Sequence, residues 1–125
     1  DRSVSRGLGD VYKRQEKWLD EYPDEIELVI SNNDDMALGA ADALERKKIT
    51  RPIKIVGIDG TPQGIEGLSS GKLFGTVQCD SDEYANVMFQ IAAAAGLGQN
   101  VQEIVSLEGG KYYNCSQTAL TADKN

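Results

Sequence analysis

The sequence has no histidine and only two cysteines, Cys79 and Cys115, among its 125 residues. Histidine is the side chain that most often transfers protons near neutral pH, so its absence argues against histidine-dependent catalysis. The two cysteines stand far apart in the sequence, without the short spacing of a zinc site. We therefore expect neither a zinc site nor histidine-based catalysis; for the chain as a whole we predict no catalytic residue, no metal and no cofactor. Two cysteines do not determine the redox compartment.

Basic residues and long apolar runs are also scarce. The chain has 13 Lys and Arg against 20 Asp and Glu, a formal net charge of −7, which argues against binding to nucleic acid or to anionic membrane surfaces. No apolar run approaches the ~20 residues that span a bilayer. With 40% hydrophobic and 26% charged residues, the composition is typical of one soluble globular domain.

Residues 1–15, DRSVSRGLGDVYKRQ, differ in composition from the rest of the chain. They carry four basic and two acidic side chains and show no clear helical or strand periodicity. The apolar segment of a secretory signal does not follow them. The stretch closely resembles a translated sequencing adapter, so we expect residues 1–15 to be a non-native or disordered tail. Residues 16–125 are then expected to be part of a longer protein.

From Glu16 onward, the hydrophobic pattern alternates between short strands and helices. Runs of branched side chains predict buried strands, and apolar residues three or four positions apart predict helices. The predicted strands cover residues 26–30, 53–58, 73–77, 101–107 and 111–115. The predicted helices are one that ends near Pro23 and those over residues 34–48, 61–70 and 81–97. This order predicts an α/β fold with a parallel sheet and right-handed crossovers.

Polar side chains cluster where three of the predicted strands end. Asn33, Asp34 and Asp35 follow the first strand, Asp59 follows the second, and residues 78–80, Gln-Cys-Asp, follow the third. Ligands of open α/β sheets bind outside the carboxyl ends of the strands, so these residues are candidates for a binding site. Helix capping and turn formation are the alternative, because Asn and Asp are favoured in both.

Two stretches carry a resemblance to a known family. They are SNNDDMALGAADAL, residues 31–44, and IVGIDGTPQGIEGLSSGKLFGTVQCD, residues 55–80. With them the chain resembles the second lobe of type I periplasmic sugar-binding proteins, the group that binds galactose and ribose. The resemblance implies a three-layer, parallel-sheet lobe that is truncated here. It also implies that the helix over residues 81–97 belongs to the first lobe. The apolar face of this helix, including Val87 and Ile91, is therefore expected to be poorly covered in this chain.

The resemblance further implies three ligand-binding residues, namely Asn33, Asp59 and Cys79. In the family, the asparagine donates to and accepts from sugar hydroxyls, and the aspartate accepts two hydroxyl hydrogen bonds. An amide offers both a donor and an acceptor, and a carboxylate accepts strongly, which suits these roles. The third family residue is a Gln or Asn. Its replacement by Cys79 weakens that contact, because a thiol is a poor hydrogen-bond partner.

The function implied by the resemblance is that of the solute-binding component of an ABC-type sugar importer, without enzymatic activity. Such a protein closes two lobes on a monosaccharide, here of the galactose/glucose or ribose class, and delivers it to a membrane permease. We expect a monomer that does not bind nucleic acid. We expect it in the periplasm, or anchored by lipid outside the cytoplasm. As part of a longer protein, this chain alone is expected to bind sugar weakly or not at all.

Three other functions fit parts of the same pattern. The sugar-sensing effector domain of LacI-type repressors shares the fold and remains the alternative. A receiver domain of two-component signalling would use Asp59 as phosphoacceptor, but the 24 residues from Asp35 to Asp59 are too few for that family. A glycosidase would need a positioned pair of carboxylic acids, and the sequence supplies none beyond the aspartates above.

Overall fold

The fold is described from a computed structural model, which covers residues 8–122 with side chains from residue 15 onward. The helices are α1 (Leu8–Glu21), α2 (Asp34–Arg46), α3 (Pro62–Ser69), α4 (Ser81–Gly96) and α5 (Val101–Ile104). The strands are β1 (Leu28–Ile30), β2 (Lys54–Asp59), β3 (Gly75–Cys79) and β4 (Gln117–Thr121). Within this range no helix is both long and apolar enough to span a membrane. The described residues form two compact units, residues 8–78 with 119–122, and residues 79–118.

The strands form one sheet in the order β1-β2-β3-β4. β1 and β2 run parallel with Val29 opposite Ile55, and β2 and β3 run parallel with Asp59 opposite Gln78. The carboxyl ends of these three strands therefore lie at one edge of the sheet. The predicted α/β fold with parallel strand pairing is confirmed.

Small side chains allow α2 to lie close to the sheet. Alanine has the highest helix propensity and adds no long side chain, so an alanine-rich face both favours the helix and permits close packing. The core of the first unit consists of six buried side chains, Ala37, Ala40, Ala41, Ile55, Leu68 and Leu73. This packing fixes the start of α2 against the sheet edge at which β1 and β2 end.

Helix α1 packs on α2, where the side-chain amide of Gln15 donates to the backbone oxygen of Met36 at 3.0 Å. The sequence predicts a non-native or disordered tail over residues 1–15, whereas the structure places residues 8–15 in α1. Packing on a neighbouring helix explains this difference, because tertiary contacts stabilise helices that local sequence does not. Residues 1–7 of the predicted tail lie outside the described residues. α1 ends at Glu21, close to the predicted end near Pro23.

The two last predicted strands are wrong. Residues 101–107 begin with helix α5, in which the Asn100 side chain caps the first turn by accepting from the backbone NH of Gln102 at 3.2 Å. Residues 111–115 contain only an isolated bridge between Glu108 and Tyr112, and the strand lies further on, at β4. Val101, Ile104 and Val105 recur at helical spacing, so this short apolar run fits a helix as well as a strand.

The second unit is built around α4, which was predicted over residues 81–97. Asp80 caps it by accepting from the backbone NH of Glu83 at 2.9 Å. Val87 and Ile91, whose face is expected to be poorly covered, are half-buried. The most exposed large apolar side chains of the unit lie elsewhere, with Phe89 72% exposed and Leu97 73% exposed. The most exposed apolar side chains of this unit therefore lie outside the face that was predicted to be poorly covered.

Candidate functional site

Asn33 lies at the joint between β1 and α2 and caps the helix. Its side-chain oxygen accepts from the backbone NH of Met36 at 2.8 Å, and its backbone is extended. Capping therefore occupies Oδ1, one of the two groups through which Asn33 is expected to contact a ligand. The amide nitrogen Nδ2 donates to no partner among the described residues. Asn33 thus keeps a free donor beside its capping role.

Asp34, the first residue of α2, is fully buried and links two other elements to the helix. Its Oδ2 accepts from the backbone NH of Thr61 at 2.8 Å and from the Thr61 hydroxyl at 3.2 Å. Its Oδ1 accepts from the Thr76 hydroxyl of β3 at 2.6 Å. Three donors thus satisfy this buried carboxylate, as a charge removed from water requires.

Two glycines leave the space that the Asp34 carboxylate fills. A Cβ built on Gly57 of β2 would lie 2.2 Å from Oδ1, and one built on Gly64 of α3 would lie 2.1 Å from Oδ2. Real Cβ atoms do not approach oxygen so closely, so a side chain at either position would displace the carboxylate. The absence of a side chain at Gly57 and at Gly64 therefore leaves the space that the Asp34 carboxylate occupies.

Asp59 ends β2 with its side chain exposed at the sheet edge. Its φ is +107°, a left-handed conformation that is uncommon for a residue with a side chain. Gly60 follows with φ +65°, and a Cβ there would lie 2.5 Å from Cβ of Gln78. The carboxylate of Asp59 accepts no hydrogen bond from the described residues. It is an unpaired acceptor at the edge where open α/β sheets bind ligands.

Cys79, the third predicted ligand-binding residue, ends β3 and falls in the second unit. It is a half-buried free cysteine, and its sulfur lies 3.9 Å from the side-chain amide nitrogen of Gln117. The structure thus places Asn33 and Asp59 in the first unit and assigns Cys79 to the other. Among the described residues, no group of three or more Cys, Asp and Glu side chains could hold a metal ion.

In the second unit, Glu83 of α4 binds the segment that precedes β4 through two hydrogen bonds. Its carboxylate accepts from the Tyr113 hydroxyl at 2.5 Å and from the backbone NH of Ser116 at 2.9 Å. These donors, Tyr113 above all, hold the pKa of Glu83 below its ordinary value. The same contact raises the pKa of Tyr113. Burial, followed by the charge of Glu83, raises the pKa of Cys115.

Tyr113→Phe is expected to raise the pKa of Glu83 towards its ordinary value, because the variant lacks the main donor. A carboxylate whose pKa is lowered by folding stabilises the fold above the unfolded-state pKa and loses this contribution as pH falls through the lowered value. The variant should therefore lose less stability on acidification than the parent. A pH titration of the Glu83 carboxyl carbon by NMR measures the change. Tyr112→Phe, at a ring 68% exposed, is the control, and equal titrations in both variants would contradict the role of Tyr113.

The role of Asp34 is the part of this region that the sequence did not reveal. Its negative charge in the first turn of α2 interacts favourably with the helix dipole, yet its side chain points to β3 and the loop before α3. A signal was present, since threonines and glycines occur on β2, at the start of α3 and on β3, the three elements that surround its carboxylate. These are Gly57, Thr61, Gly64 and Thr76. Only the fold brings these four positions to one aspartate.

Comparison with known proteins finds related sequences over most of the chain. The periplasmic binding protein domain family matches residues 8–100. The D-galactose/methyl-galactoside binding periplasmic protein MglB of Haemophilus influenzae is 33% identical over 104 residues, 80% of this chain and 31% of that protein. The ribose import binding protein RbsB of Salmonella typhimurium is 34% identical over 84 residues, 67% of this chain and 28% of that protein. The chain therefore spans less than a third of the length of either relative.

Solved structures show the same fold. An ABC transporter solute binding protein from Bacillus halodurans with bound myo-inositol matches with a TM-score of 0.66 and 35% identity, over 74% of this chain and 32% of that one. A periplasmic solute binding protein from Actinobacillus succinogenes with bound D-allose matches with a TM-score of 0.75 and 23% identity, over 94% of this chain and 38% of that one. At that lower identity the likeness concerns the fold alone.

Proposed function

The chain belongs to the periplasmic binding protein family, and on that premise we propose that it is part of the solute-binding component of an ABC-type sugar importer. The related sequences are named as binding proteins for galactose and for ribose import, which favours transport over the LacI-type repressor alternative. In this role the protein binds and releases a monosaccharide of the galactose/glucose or ribose class without chemical change. It works as a monomer outside the cytoplasm, in the periplasm or on a lipid anchor, and its macromolecular partner is a membrane permease.

Within the proposed protein, residues 16–77 and about 100–115 belong to the second lobe, whereas α4 belongs to the first. The boundary between the two compact units, at Gln78 and Cys79, supports this assignment because it coincides with the point where the chain is expected to leave the second lobe. Residues 100–115, expected in the second lobe, fall in the same unit as α4. The assignment of α4 rests on the unit boundary and on the family resemblance.

One observation carries the proposal: the exposed carboxylate of Asp59, at the carboxyl edge of the sheet, accepts no hydrogen bond from the part of the chain that the structure describes. A carboxylate has two oxygens and accepts hydrogen bonds strongly, so it suits two adjacent hydroxyls of a sugar ring. The free amide nitrogen of Asn33 supplies a donor in the neighbouring loop. Cys79 is proposed as the third and weakest contact. An aldohexose and an aldopentose both offer adjacent hydroxyls, so this chemistry accommodates either class.

A sugar titration followed by NMR tests the proposal. We expect galactose, glucose or ribose to shift the backbone amide signals of Asn33 and Asp59, with a dissociation constant of about 1 mM or weaker for this chain alone. Weak binding is expected because the chain supplies only part of a cleft formed by two lobes. Micromolar affinity in calorimetry would contradict that expectation. Sugar-dependent shifts at other residues without shifts at Asn33 and Asp59 would contradict their assignment as ligand contacts.

Asp59→Gly is expected to weaken the sugar response by about tenfold or more, equivalent to about 1.4 kcal/mol. Glycine suits the left-handed conformation at this position, so the variant removes the carboxylate without adding backbone strain. Asp24→Ala is the matched control, because Asp24 is also an exposed aspartate of the first unit but lies before β1. Equal responses in the two variants would exclude Asp59 as a sugar contact.

A further inference from the structure

We propose that Asp34 is a positioning residue, which acts through Thr61 to hold the carboxylate of Asp59 at the sheet edge. The inference rests on the proposed function, since Asp59 is the residue to which the sugar contact is assigned. Asp34 itself is fully buried and is saturated by donors from the protein, so it contacts no ligand. Its effect on binding would be transmitted by the loop between β2 and α3.

The transmission runs through two hydrogen bonds that share one residue. Thr61 stands two positions after Asp59, and both its backbone NH and its hydroxyl donate to Oδ2 of Asp34. The hydroxyl oxygen of Thr61 in turn accepts from the backbone NH of Gly64 at 3.0 Å and so caps α3. One carboxylate oxygen therefore anchors both the end of the loop and the beginning of the next helix.

The backbone of Asp59 needs such an anchor. A left-handed conformation costs free energy in a residue with a Cβ, and it persists only where surrounding contacts determine it. The loop is held at two neighbouring points. Gly60 packs directly on Gln78 of β3, and Thr61 is bound to Asp34. Without the second point, we expect the Asp59 backbone to relax towards the ordinary negative φ, which would turn its carboxylate away from its present direction.

The negative charge of Asp34 contributes to the strength with which it holds Thr61. Hydrogen bonds to an ionised carboxylate are stronger than those to a neutral acceptor, so an aspartate holds Thr61 more firmly than an asparagine of the same shape. Asp34→Asn keeps one oxygen for Thr61 and lets its new amide donate to the Thr76 hydroxyl. This variant therefore weakens the anchor with little change in packing, and it separates positioning from cavity formation.

The test uses the 15N-labelled chain and two readouts that need no sugar. The three-bond coupling between the amide and α protons of Asp59 reports its φ, and hydrogen exchange of the Thr61 amide reports opening of the anchor. In Asp34→Asn we expect the coupling to shift towards the value for negative φ. We also expect the Thr61 amide to exchange about tenfold faster relative to amides of β2, as a loss of one charge-assisted bond implies. Ala43→Gly is the control, because it weakens α2 without contacting the loop.

Three results would overturn the proposal. The first is an unchanged Asp59 coupling in a folded Asp34→Asn variant. The second is an equal rise in exchange at Thr61 and at β2 in that variant, which would indicate a general loss of stability. If Asp34→Asn does not fold, Thr61→Ala decides instead, since it keeps Asp34 and the backbone bond of Thr61 and removes the hydroxyl contact at 3.2 Å together with the side-chain cap of α3. An unchanged coupling there is the third, and a partial shift supports the proposal.

The sugar titration of the previous section is run on the same samples. Under the proposal, Asp34→Asn weakens the shift of the Asp59 amide by about as much as it opens the anchor, and Ala43→Gly leaves the response unchanged. If sugars shift other amides of the parent protein but neither Asn33 nor Asp59, the assigned sugar contacts fail, whereas the coupling and exchange data still decide the role of Asp34. The two failures are therefore distinguishable.

Discussion

Asp34→Ala is expected to lower the free energy of unfolding by about 3–5 kcal/mol. The variant leaves the backbone NH and hydroxyl of half-buried Thr61 and the buried hydroxyl of Thr76 without their acceptor. A buried donor without a partner costs about 1–3 kcal/mol, and an unfilled cavity adds to the loss. Domains of this size have a total stability of about 5–15 kcal/mol, so much of the chain could unfold.

Urea denaturation followed by circular dichroism measures this loss. Asp35→Ala is the matched control, since it removes the same side chain from the next position of the same helix, where the residue is exposed. Surface substitutions of this kind change stability by about 0.5 kcal/mol or less. Equal losses in the two variants would show that the helix dipole, to which both aspartates are favourably placed, accounts for the contribution of Asp34.

The first half of the fold could be predicted from sequence because its signals are local and agree with one another. α2 combines an Asn cap, acids in the first turn and alanines on its buried face, and Arg46 in the last turn completes the charge order. β2 is a run of branched residues between Pro52 and a turn at Asp59-Gly60. Capping, periodicity and turn chemistry point to the same boundaries, which is why these elements lie where they were predicted.

The region after α4 could not be predicted for the opposite reason. Residues 101–107 hold too few apolar positions to separate a strand from a short helix, and the capping side chain of Asn100 decides in favour of α5. β4 has exposed side chains over most of its length and lacks the buried pattern from which strands are recognised. Its place beside β3 follows from tertiary pairing, to which Ala122 contributes by donating to the backbone oxygen of Phe74 at 3.1 Å.

The candidate site was predictable in composition and less so in arrangement. The sequence identifies Asn33 and Asp59 as polar residues at strand ends, and the structure places both at that edge. The capping alternative is also realised at Asn33, so the two interpretations of that residue are compatible. The sequence could not indicate which of the neighbouring aspartates is buried and which is exposed. Asp34 is buried by contacts from Thr61 and Thr76, 27 and 42 positions away in the sequence, whereas Asp35 stays exposed.

Gly64→Ala is expected to destabilise the chain by about 2–3 kcal/mol, although alanine favours helices over glycine by about 1 kcal/mol. The new Cβ would lie 2.1 Å from Oδ2 and 2.4 Å from Cγ of Asp34. Either the carboxylate moves, which breaks its bonds to Thr61, or α3 moves away from α2. Gly64 is buried, so neither movement is free. A loss of stability from a substitution that improves helix propensity would identify the close approach to Asp34 as its cause.

Two controls isolate this cause in the same urea measurement. Gly96→Ala makes the same chemical change in α4, where no atom lies within 4 Å of the added Cβ, and should leave the chain unchanged or stabilise it by about 0.4–1 kcal/mol. Gln63→Ala places alanine at the exposed position beside Gly64 and should change stability by about 0.5 kcal/mol or less. A neutral Gly64→Ala would show that α3 can shift without cost. The carboxylate of Asp34 would then be a weaker anchor than its three hydrogen bonds indicate, and the positioning role proposed for it would lose its structural basis.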